Sequence, residues 1–218
     1  MKMIIKPVPI DREIPLDPFR TIMSKTDKKG IIEFANDYFM EISRYKEWEL
    51  MGQPHNVIRH PDMPKIIFKM LWDRLDEGQN IHAVVKNLAK DGSYYWVVTD
   101  FQTKYNDEGE IIAYYSRRKA IPESVKNYFT DLYNKLRKIE DNGGMEASGA
   151  YFNGLLEDAG LSYDDFVLDI FNLTASELRA YLTAQISDNQ LDEEMTTPEA
   201  AIQQTSKKKG FLKKIFNI

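Results

Sequence analysis

The hydrophobic period changes from helical to strand-like after Gly78, and this change constrains the fold more than any other feature. From residue 80 to residue 118, three β-rich runs are separated by the turn sequences KDG (90–92) and NDEG (106–109). Alternation of apolar and polar residues over runs of this length indicates half-buried strands. Glycine in the turns accepts the positive φ that a tight connection requires. The sequence therefore predicts a three-stranded antiparallel meander.

A hairpin and helices precede this meander. Two strand-like runs, at 20–27 and 31–35, flank the turn KKG, and Asn36 is placed to cap a helix through NDYFMEIS. A longer helix is predicted over 64–78, with proline in its first turn and glycine at its end. Its apolar stripe consists of Ile67, Phe68, Leu71, Trp72 and Leu75. The order of two strands, helices and three strands predicts an α+β fold, a five-stranded antiparallel sheet with helices on one face.

A short all-helical extension is predicted to follow. Its first helix begins after Pro122 and is expected to break at DNGGMEAS (141–148). The capping-box sequence TASE at 174–177 predicts the start of a last helix. The apolar positions of the first helix are Val125, Tyr128, Phe129, Leu132, Tyr133, Leu136 and Ile139. Short helices with one apolar face must bury that face, against the sheet, each other or a second copy of the chain.

The end of the chain combines lysines with apolar residues. After a polar linker over 188–206, the tail Lys207–Ile218 contains five lysines, interspersed with phenylalanine, leucine and isoleucine. Such a pattern indicates a short interfacial anchor, because lysines near an anionic leaflet each contribute about 1 kcal/mol. A solubilising end and a peptide that docks on a partner protein are the alternatives.

Composition excludes several classes of function. The chain has no cysteine, which rules out disulfides, thiolate metal sites and a thiol nucleophile. The net charge of −5 gives no reason to expect nucleic-acid binding. No phosphate-cradling glycine loop and no nucleophile–base arrangement is apparent, so the chain is not expected to be an enzyme. No apolar run is long enough to span a bilayer, and the sequence predicts a soluble or peripheral cytoplasmic protein.

The stretch GQPHNVIRHPDMP (52–64) concentrates polar chemistry in thirteen residues, including two of the three histidines. One interpretation is a structural loop, in which Asp62 caps the following helix and Arg59 pairs with a carboxylate. A metal site of His55, His60 and Asp62 is a second, although the spacing matches no helical or finger pattern. The HPD triplet also occurs in J-domain cochaperones, but the basic helix that precedes it there is missing here.

This stretch and several others resemble the PAS sensor of bacterial aerotaxis (energy-taxis) receptors. The other matching pieces are ANDYF (35–39), the helix containing Trp72, KN (86–87), DGSYYWV (91–97) and YYSRR (114–118). The resemblance implies a PAS fold followed by the helical extension. The predicted organisation is an N-terminal segment (1–18), a PAS sensor domain (19–119), a helical extension (120–187), a polar linker (188–206) and a basic amphipathic tail (207–218).

The resemblance implies that this domain binds FAD non-covalently and reports redox state. The residues it implicates near the cofactor are Asn36, Arg59, His60, Asp62, Trp72, Lys86 and Asn87. Trp72 is suited to an aromatic wall of a flavin slot, and Asn87 offers an amide that both donates and accepts. Arg59 would meet a diphosphate or the charge of reduced flavin, and His60 with Asp62 would hold the loop.

One departure from the family pattern concerns Ile81. Where the family commonly has GxPWSG, this chain has GQNIHA (78–83), with isoleucine in the tryptophan position. Loss of one aromatic wall favours an alternative, a cofactor-free PAS adaptor or dimerisation module. Haem is a minority alternative cofactor, for which His82 is the only histidine in the meander.

The predicted function is a cytosolic PAS sensor of redox or energy state. It would pass its signal by protein contact to a chemoreceptor-type transducer, in energy taxis. A homodimer is compatible with this class of domain. The basic tail would keep the sensor close to the inner face of the membrane.

Overall fold

A computed structural model describes residues 6–172 of the chain. The first helices are α1 (Asp37–Ser43), α2 (Glu47–Leu50), a 3₁₀ turn (His55–Ile58) and α3 (Lys65–Asp76). The strands are β1 (Ile22–Asp27), β2 (Ile32–Ala35), β3 (Ile81–Leu88), β4 (Tyr94–Tyr105) and β5 (Ile111–Lys119). Two helices follow, α4 (Glu123–Ala159) and α5 (Tyr163–Asn172). The TASE segment, the linker and the basic tail lie outside the described residues.

The five strands form one antiparallel sheet in the order β2-β1-β5-β4-β3. The predicted hairpin is β1–β2, and the predicted meander is β3–β4–β5. Register places Ser24 opposite Ser116 and Arg118 opposite Thr99. The expected α+β fold, with a five-stranded antiparallel sheet and helices, is confirmed.

The described residues fall into two compact units. The first contains residues up to Met63 together with Lys69–Ile121, and the second contains Pro64–Phe68 and the residues from Pro122 onward. In the first unit, the aromatic ring of Phe39 in α1 stacks on His55 of the 3₁₀ turn and lies beneath the guanidinium of Arg118. We call the sheet face that carries Arg118 the inner face. Because side chains alternate along strands, Asn87, Tyr95 and Thr99 share it.

Asn36 caps α1, as its sequence position predicts. Its Oδ1 accepts hydrogen bonds from the backbone N–H of Phe39 and of Met23, both at 3.0 Å. Its Nδ2 donates to the carbonyl of Thr21 at 2.9 Å. The same side chain therefore closes the helix start and holds it against β1.

The N-terminal segment lies along the start of β4, which the sequence pattern did not predict. Ile10 donates its backbone N–H to Gly92 at 2.8 Å, and Tyr94 donates to the carbonyl of Arg12 at 3.0 Å. Ile14 donates in turn to the carbonyl of Tyr94 at 2.7 Å. These backbone bonds extend the hydrogen bonding of the first unit beyond its five strands.

The second unit is helical, and α4 is kinked where the sequence predicts a break. Gly144 adopts φ 76° and ψ 178°, so two helices meet there. The carboxylate of Glu140 accepts from the backbone N–H groups of Lys65 and Ile66 at 2.9 and 2.8 Å, which caps the first turn of α3. A buried aromatic cluster joins α4 to α5; its members are Tyr128, Phe129, Tyr133, Phe152, Tyr163 and Phe166. Among residues 6–172, no helix has both the length and the apolar character to cross a bilayer.

Candidate functional site

The stretch 52–64 folds around the 3₁₀ turn and pairs with the edges of the sheet. Pro54 forms an isolated antiparallel bridge with Ile31, and Arg59 forms one with Asn87 of β3. Arg59 also donates from Nη2 to the carbonyl of Met63 at 3.2 Å. Backbone pairing thus brings two of the predicted site residues together at the outer edge of β3.

His60, Asp62, Lys86 and Tyr94 form a second group, which we call the Asp62 cluster. Lys86 donates from Nζ to Asp62 Oδ2 at 2.6 Å and lies 4.3 Å from the centre of the Tyr94 ring. His60 is buried, and its Nδ1 accepts the backbone N–H of Asp62 at 3.1 Å and lies 3.3 Å from Oδ2. His60 and Asp62 are therefore in contact, through the backbone N–H of Asp62. Neighbouring Lys86 and Asn87 project to opposite faces of β3, so the cluster and the inner face are separate environments.

Trp72 packs from α3 against β5 within the first unit. Its ring meets that of Tyr114 edge-on, with centroids 5.6 Å apart. Burial, followed by a hydrogen bond to Asp76, raises the pKa of Tyr114 to about 12, so this hydroxyl stays protonated and donates at 3.2 Å. Gly30 (φ +77°) makes room for the indole, because a Cβ there would lie 3.0 Å from Trp72 Cη2.

A further group on the inner face is centred on Arg118, and we call it the Arg118 cluster: Arg118, Ser24, Ser116, His55 and Phe39. The arginine is only 2% exposed. It donates from Nη2 to Ser116 Oγ at 2.7 Å and from Nη1 to Ser24 Oγ at 3.1 Å. Nη2 also lies 2.8 Å from His55 Nε2. Four side chains from β1, β5 and the 3₁₀ turn therefore converge inside the domain.

Charge in the Arg118 cluster is uncompensated. Burial lowers the pKa of Arg118 to about 10, which leaves the guanidinium charged at neutral pH. Burial, and then the charge of Arg118, hold the pKa of His55 well below its usual value of 6.5, so His55 is neutral and accepts at Nε2. No carboxylate contacts the guanidinium within the part of the chain that the structure describes.

The inner face also carries buried polar atoms without hydrogen-bond partners among the described residues. They are Asn87 Nδ2, Tyr95 Oη, Thr99 Oγ1 and Thr103 Oγ1. Burial raises the pKa of Tyr95, so its hydroxyl is a donor like the others. A buried donor without an acceptor costs about 1–3 kcal/mol. The arrangement suits a ligand that presents several acceptor atoms to β3 and β4.

The depressed pKa of His55 makes the stability of the protein depend on pH. The unfolded chain binds a proton at His55 near pH 6.5, whereas the folded chain resists it. The free energy of unfolding should therefore be at its full value above pH 6.5 and fall below it, by up to about 1.4 kcal/mol per pH unit. Urea titrations at pH 7.5, 6.5 and 5.5 would measure this, and His55→Gln should flatten the slope. An unchanged slope in the variant would contradict the assignment.

One segment of the chain matches a known family. Residues 32–116 match the family described as PAS fold. This segment is a PAS domain. The resemblance inferred from GQPHNVIRHPDMP and the other quoted strings is confirmed. The Asp62 cluster lies within the matched residues, as do Phe39, His55 and Ser116 of the Arg118 cluster, whereas Ser24 and Arg118 flank them.

Relatives of the PAS domain include receptors and regulators. The chain is 41% identical over 120 residues to the aerotaxis receptor of Escherichia coli (strain K12), covering 55% of this chain and 24% of that protein. It is 26% identical over 105 residues to the bacterioopsin transcriptional activator of Halobacterium salinarum, a match that covers 48% of this chain and 16% of that protein. The chain thus spans a quarter or less of these relatives. The light-state structure of the blue-light photoreceptor Aureochrome1 LOV is 16% identical to this chain, with a TM-score of 0.46. The match covers 54% of this chain and 91% of that one.

The PAS domain distributes the predicted site residues over different places. Arg59, His60, Asp62 and Lys86 lie together around the loop, while Asn87 is on the inner face; Trp72 lies against Tyr114, and Asn36 is the α1 cap. Sequence reasoning missed Arg118, Ser24 and Ser116. The alternation of side chains along β5 could have indicated Arg118, because it follows Tyr114 and Ser116 at intervals of two and therefore shares their face of the sheet.

Proposed function

We propose that the PAS domain binds FAD non-covalently and reports redox state to a signalling partner. The observation that carries this proposal is the 41% identity to the aerotaxis receptor over 120 residues. Aerotaxis requires a detector of oxygen or of the redox state that oxygen sets, and the quoted motifs resemble that receptor's sensor. A bound flavin would supply a reversible redox couple, with charge and hydrogen bonding at its ring atoms that change on reduction.

The polar atoms of the inner face support a flavin as the ligand. The isoalloxazine ring has two carbonyl oxygens and unprotonated ring nitrogens that accept, and the orphaned groups of Asn87, Tyr95 and Thr99 are donors. Trp72 would provide an aromatic wall on the α3 side. Arg59 would bind the diphosphate, and the Asp62 cluster would hold the loop that carries it. Asn36 would fix the start of α1, through which Phe39 reaches the Arg118 cluster.

The position of His82 argues for flavin over haem. His82 alternates with Ile81 and Ala83, so it projects away from the inner face, and its Nε2 lies 3.9 Å from Asp100. A haem iron bound in the domain interior could not be reached by His82, and the interior imidazole of His55 is already engaged at Nε2 by Arg118 at 2.8 Å. Flavin recognition requires no such ligand and uses the donors that are present.

A cofactor-free adaptor is the second candidate function. Ile81 favours it, because this residue is 1% exposed on the inner face where the family commonly has tryptophan. An adaptor would dimerise or bind a receptor fragment through its surfaces, without a redox cofactor. In either role, the partner we propose is a chemoreceptor-type transducer at the cytoplasmic face of the membrane, and the domain acts by contact rather than catalysis.

A visible spectrum of gently purified protein tests the cofactor. We expect flavin bands that bleach with dithionite and return in air. Asn87→Ala should weaken FAD binding about tenfold, the value of one hydrogen bond of roughly 1.4 kcal/mol. Asn56→Ala is the matched control, because Asn56 is exposed on the 3₁₀ turn. A colourless protein that also refuses added FAD would reject the redox sensor and leave the adaptor.

A further inference from the structure

Among residues 6–172, the buried guanidinium of Arg118 contacts only neutral groups. Its contacts are two serine hydroxyls, the acceptor nitrogen of His55 and the ring of Phe39. Burial of an ion without an opposite charge costs several kcal/mol. Its neighbour Arg117 shows the ordinary arrangement, with a half-exposed side chain paired to Asp100 at 3.0 Å. The chain thus keeps one of two adjacent arginines inside at an energetic cost that no described carboxylate offsets.

Two other donors of the inner face lie near this cation. Thr99 is directly opposite Arg118 in the β4–β5 register, and its hydroxyl has no partner in the described chain. The charge of Arg118 also lowers the pKa of Tyr95 against the larger effect of burial, which indicates that the phenol is within electrostatic reach. A cation next to unsatisfied donors is complementary to a ligand edge that is rich in electrons and able to carry negative charge.

We propose that Arg118 is the cationic pole of the flavin site and favours the reduced flavin over the oxidised one, an inference that rests on the proposed function. In a bound flavin, Arg118 would hold the edge of the ring formed by N1 and the C2 carbonyl. A flavin that had taken two electrons and one proton from an external reductant would carry hydrogen on N5 and a negative charge shared by N1 and the C2 oxygen. The charge therefore appears where a buried guanidinium stabilises it most, since the interior screens charges weakly.

The contacts of Arg118 also connect this charge to three elements of the fold. The guanidinium is bonded to Ser24 on β1, Ser116 on β5 and His55 on the 3₁₀ turn. A stronger attraction between the reduced ring and the guanidinium would therefore alter the hydrogen bonds to all three elements. This assigns the redox response to the Arg118 cluster rather than to Arg59, whose place is the loop beside β3.

The test compares the affinities of the protein for oxidised and dithionite-reduced FAD, measured anaerobically by equilibrium dialysis. Arg118→Gln should weaken binding of reduced FAD at least about tenfold more than binding of oxidised FAD, because a charged hydrogen bond is lost. Arg117→Gln is the matched control, one residue along on the other face, and should leave the ratio of the two affinities unchanged. Arg118→Lys, which keeps the charge without the planar fork, should fall between wild type and Arg118→Gln.

The outcomes separate the two proposals. A wild-type chain that binds no flavin in either state overturns both. A wild type that binds flavin, with a folded Arg118→Gln variant of unchanged affinity ratio, overturns this inference and leaves the redox sensor standing. If far-UV circular dichroism shows that Arg118→Gln does not fold, the affinity ratios of Arg118→Lys and Ser116→Ala test the inference instead. Ser116→Ala removes the 2.7 Å hydrogen bond and should shift the ratio in the same direction. No shift in either variant overturns the inference.

Discussion

Replacing Phe166 with alanine should lower the free energy of unfolding of the helical unit by about 3–5 kcal/mol. Phe166 is buried on α5, and its ring centroid lies 6.0, 6.2 and 5.9 Å from those of Tyr128, Phe129 and Phe152. Truncation removes contacts with all three rings and leaves a cavity that rigid neighbours cannot fill. The measurement is urea unfolding followed by far-UV circular dichroism.

Leu168→Ala is the matched control for this prediction. Leu168 is two residues away on the same helix and 49% exposed, so its truncation should cost within about 0.5 kcal/mol. Tryptophan fluorescence adds a second probe, because all three tryptophans, at 48, 72 and 96, belong to the first unit. Equal losses at positions 166 and 168 would show that the aromatic cluster does not stabilise the helical unit as we describe.

Gly92→Ala should destabilise the PAS domain by about 3 kcal/mol or more and release the N-terminal segment from β4. The residue has φ +87°, where a side chain costs roughly 1–2 kcal/mol. A Cβ there would also lie 2.4 Å from the carbonyl oxygen of Val8. Relief requires movement of the Val8 backbone, which breaks the neighbouring bond from Ile10 to Gly92. Urea unfolding and amide exchange at Ile10 and Ile14 would record the two effects.

Gly109→Ala isolates the contact with the N-terminal segment from the cost of backbone strain. Gly109 closes the next turn of the meander with φ +80° and has nothing within 4 Å of the position of a Cβ. Its substitution should cost about 1–2 kcal/mol and leave the amides of Ile10 and Ile14 protected. If both glycine variants lose the same stability, the N-terminal segment contributes nothing through this contact.

The two polar groups of the PAS domain differ in burial, and this difference matters for the redox sensing that we propose. In the Asp62 cluster the carboxylate of Asp62 is half-exposed, so its ion pair with Lys86 resembles a surface pair that contributes modestly to stability. The Arg118 cluster is buried, where the same charge interacts far more strongly with a change in ligand charge. A sensor that must respond to one added electron pair gains more from the buried group.

Much of the fold was predictable because its patterns are local. Alternation around the KDG and NDEG turns predicts β3–β4–β5, and Asn36 before an apolar run predicts the α1 cap. The glycine pair at 143–144 predicts the kink in α4. The short α2 and the 3₁₀ turn were missed, since four residues are too few to show a period. The N-terminal segment was missed because its bonds to Gly92 and Tyr94 are made by backbone atoms, which leave no side-chain pattern.

The candidate site was predictable only in part. The stretch 52–64 and Asn87 are recognisable as strings, and the structure brings Arg59 and Asn87 into one bridge. Arg118 looks like a surface residue in SRRK, because a charged side chain is rarely buried. Register alone reveals that it shares the inner face with Ser24 and Thr99, which are 94 and 19 residues away in the chain.

The sequence by itself determined the five strands, the starts of α1, α3 and α4, and the resemblance to PAS domains, because these depend on neighbours within a few turns of the chain. Only the tertiary structure decided which charges are buried and what they face. Arg118, His55, Ser24 and Ser116 meet because antiparallel register joins distant strands, and burial there shifts the pKa of both the arginine and the histidine. A side chain's charge and desolvation depend on every group packed around it, and those groups are assembled by the fold.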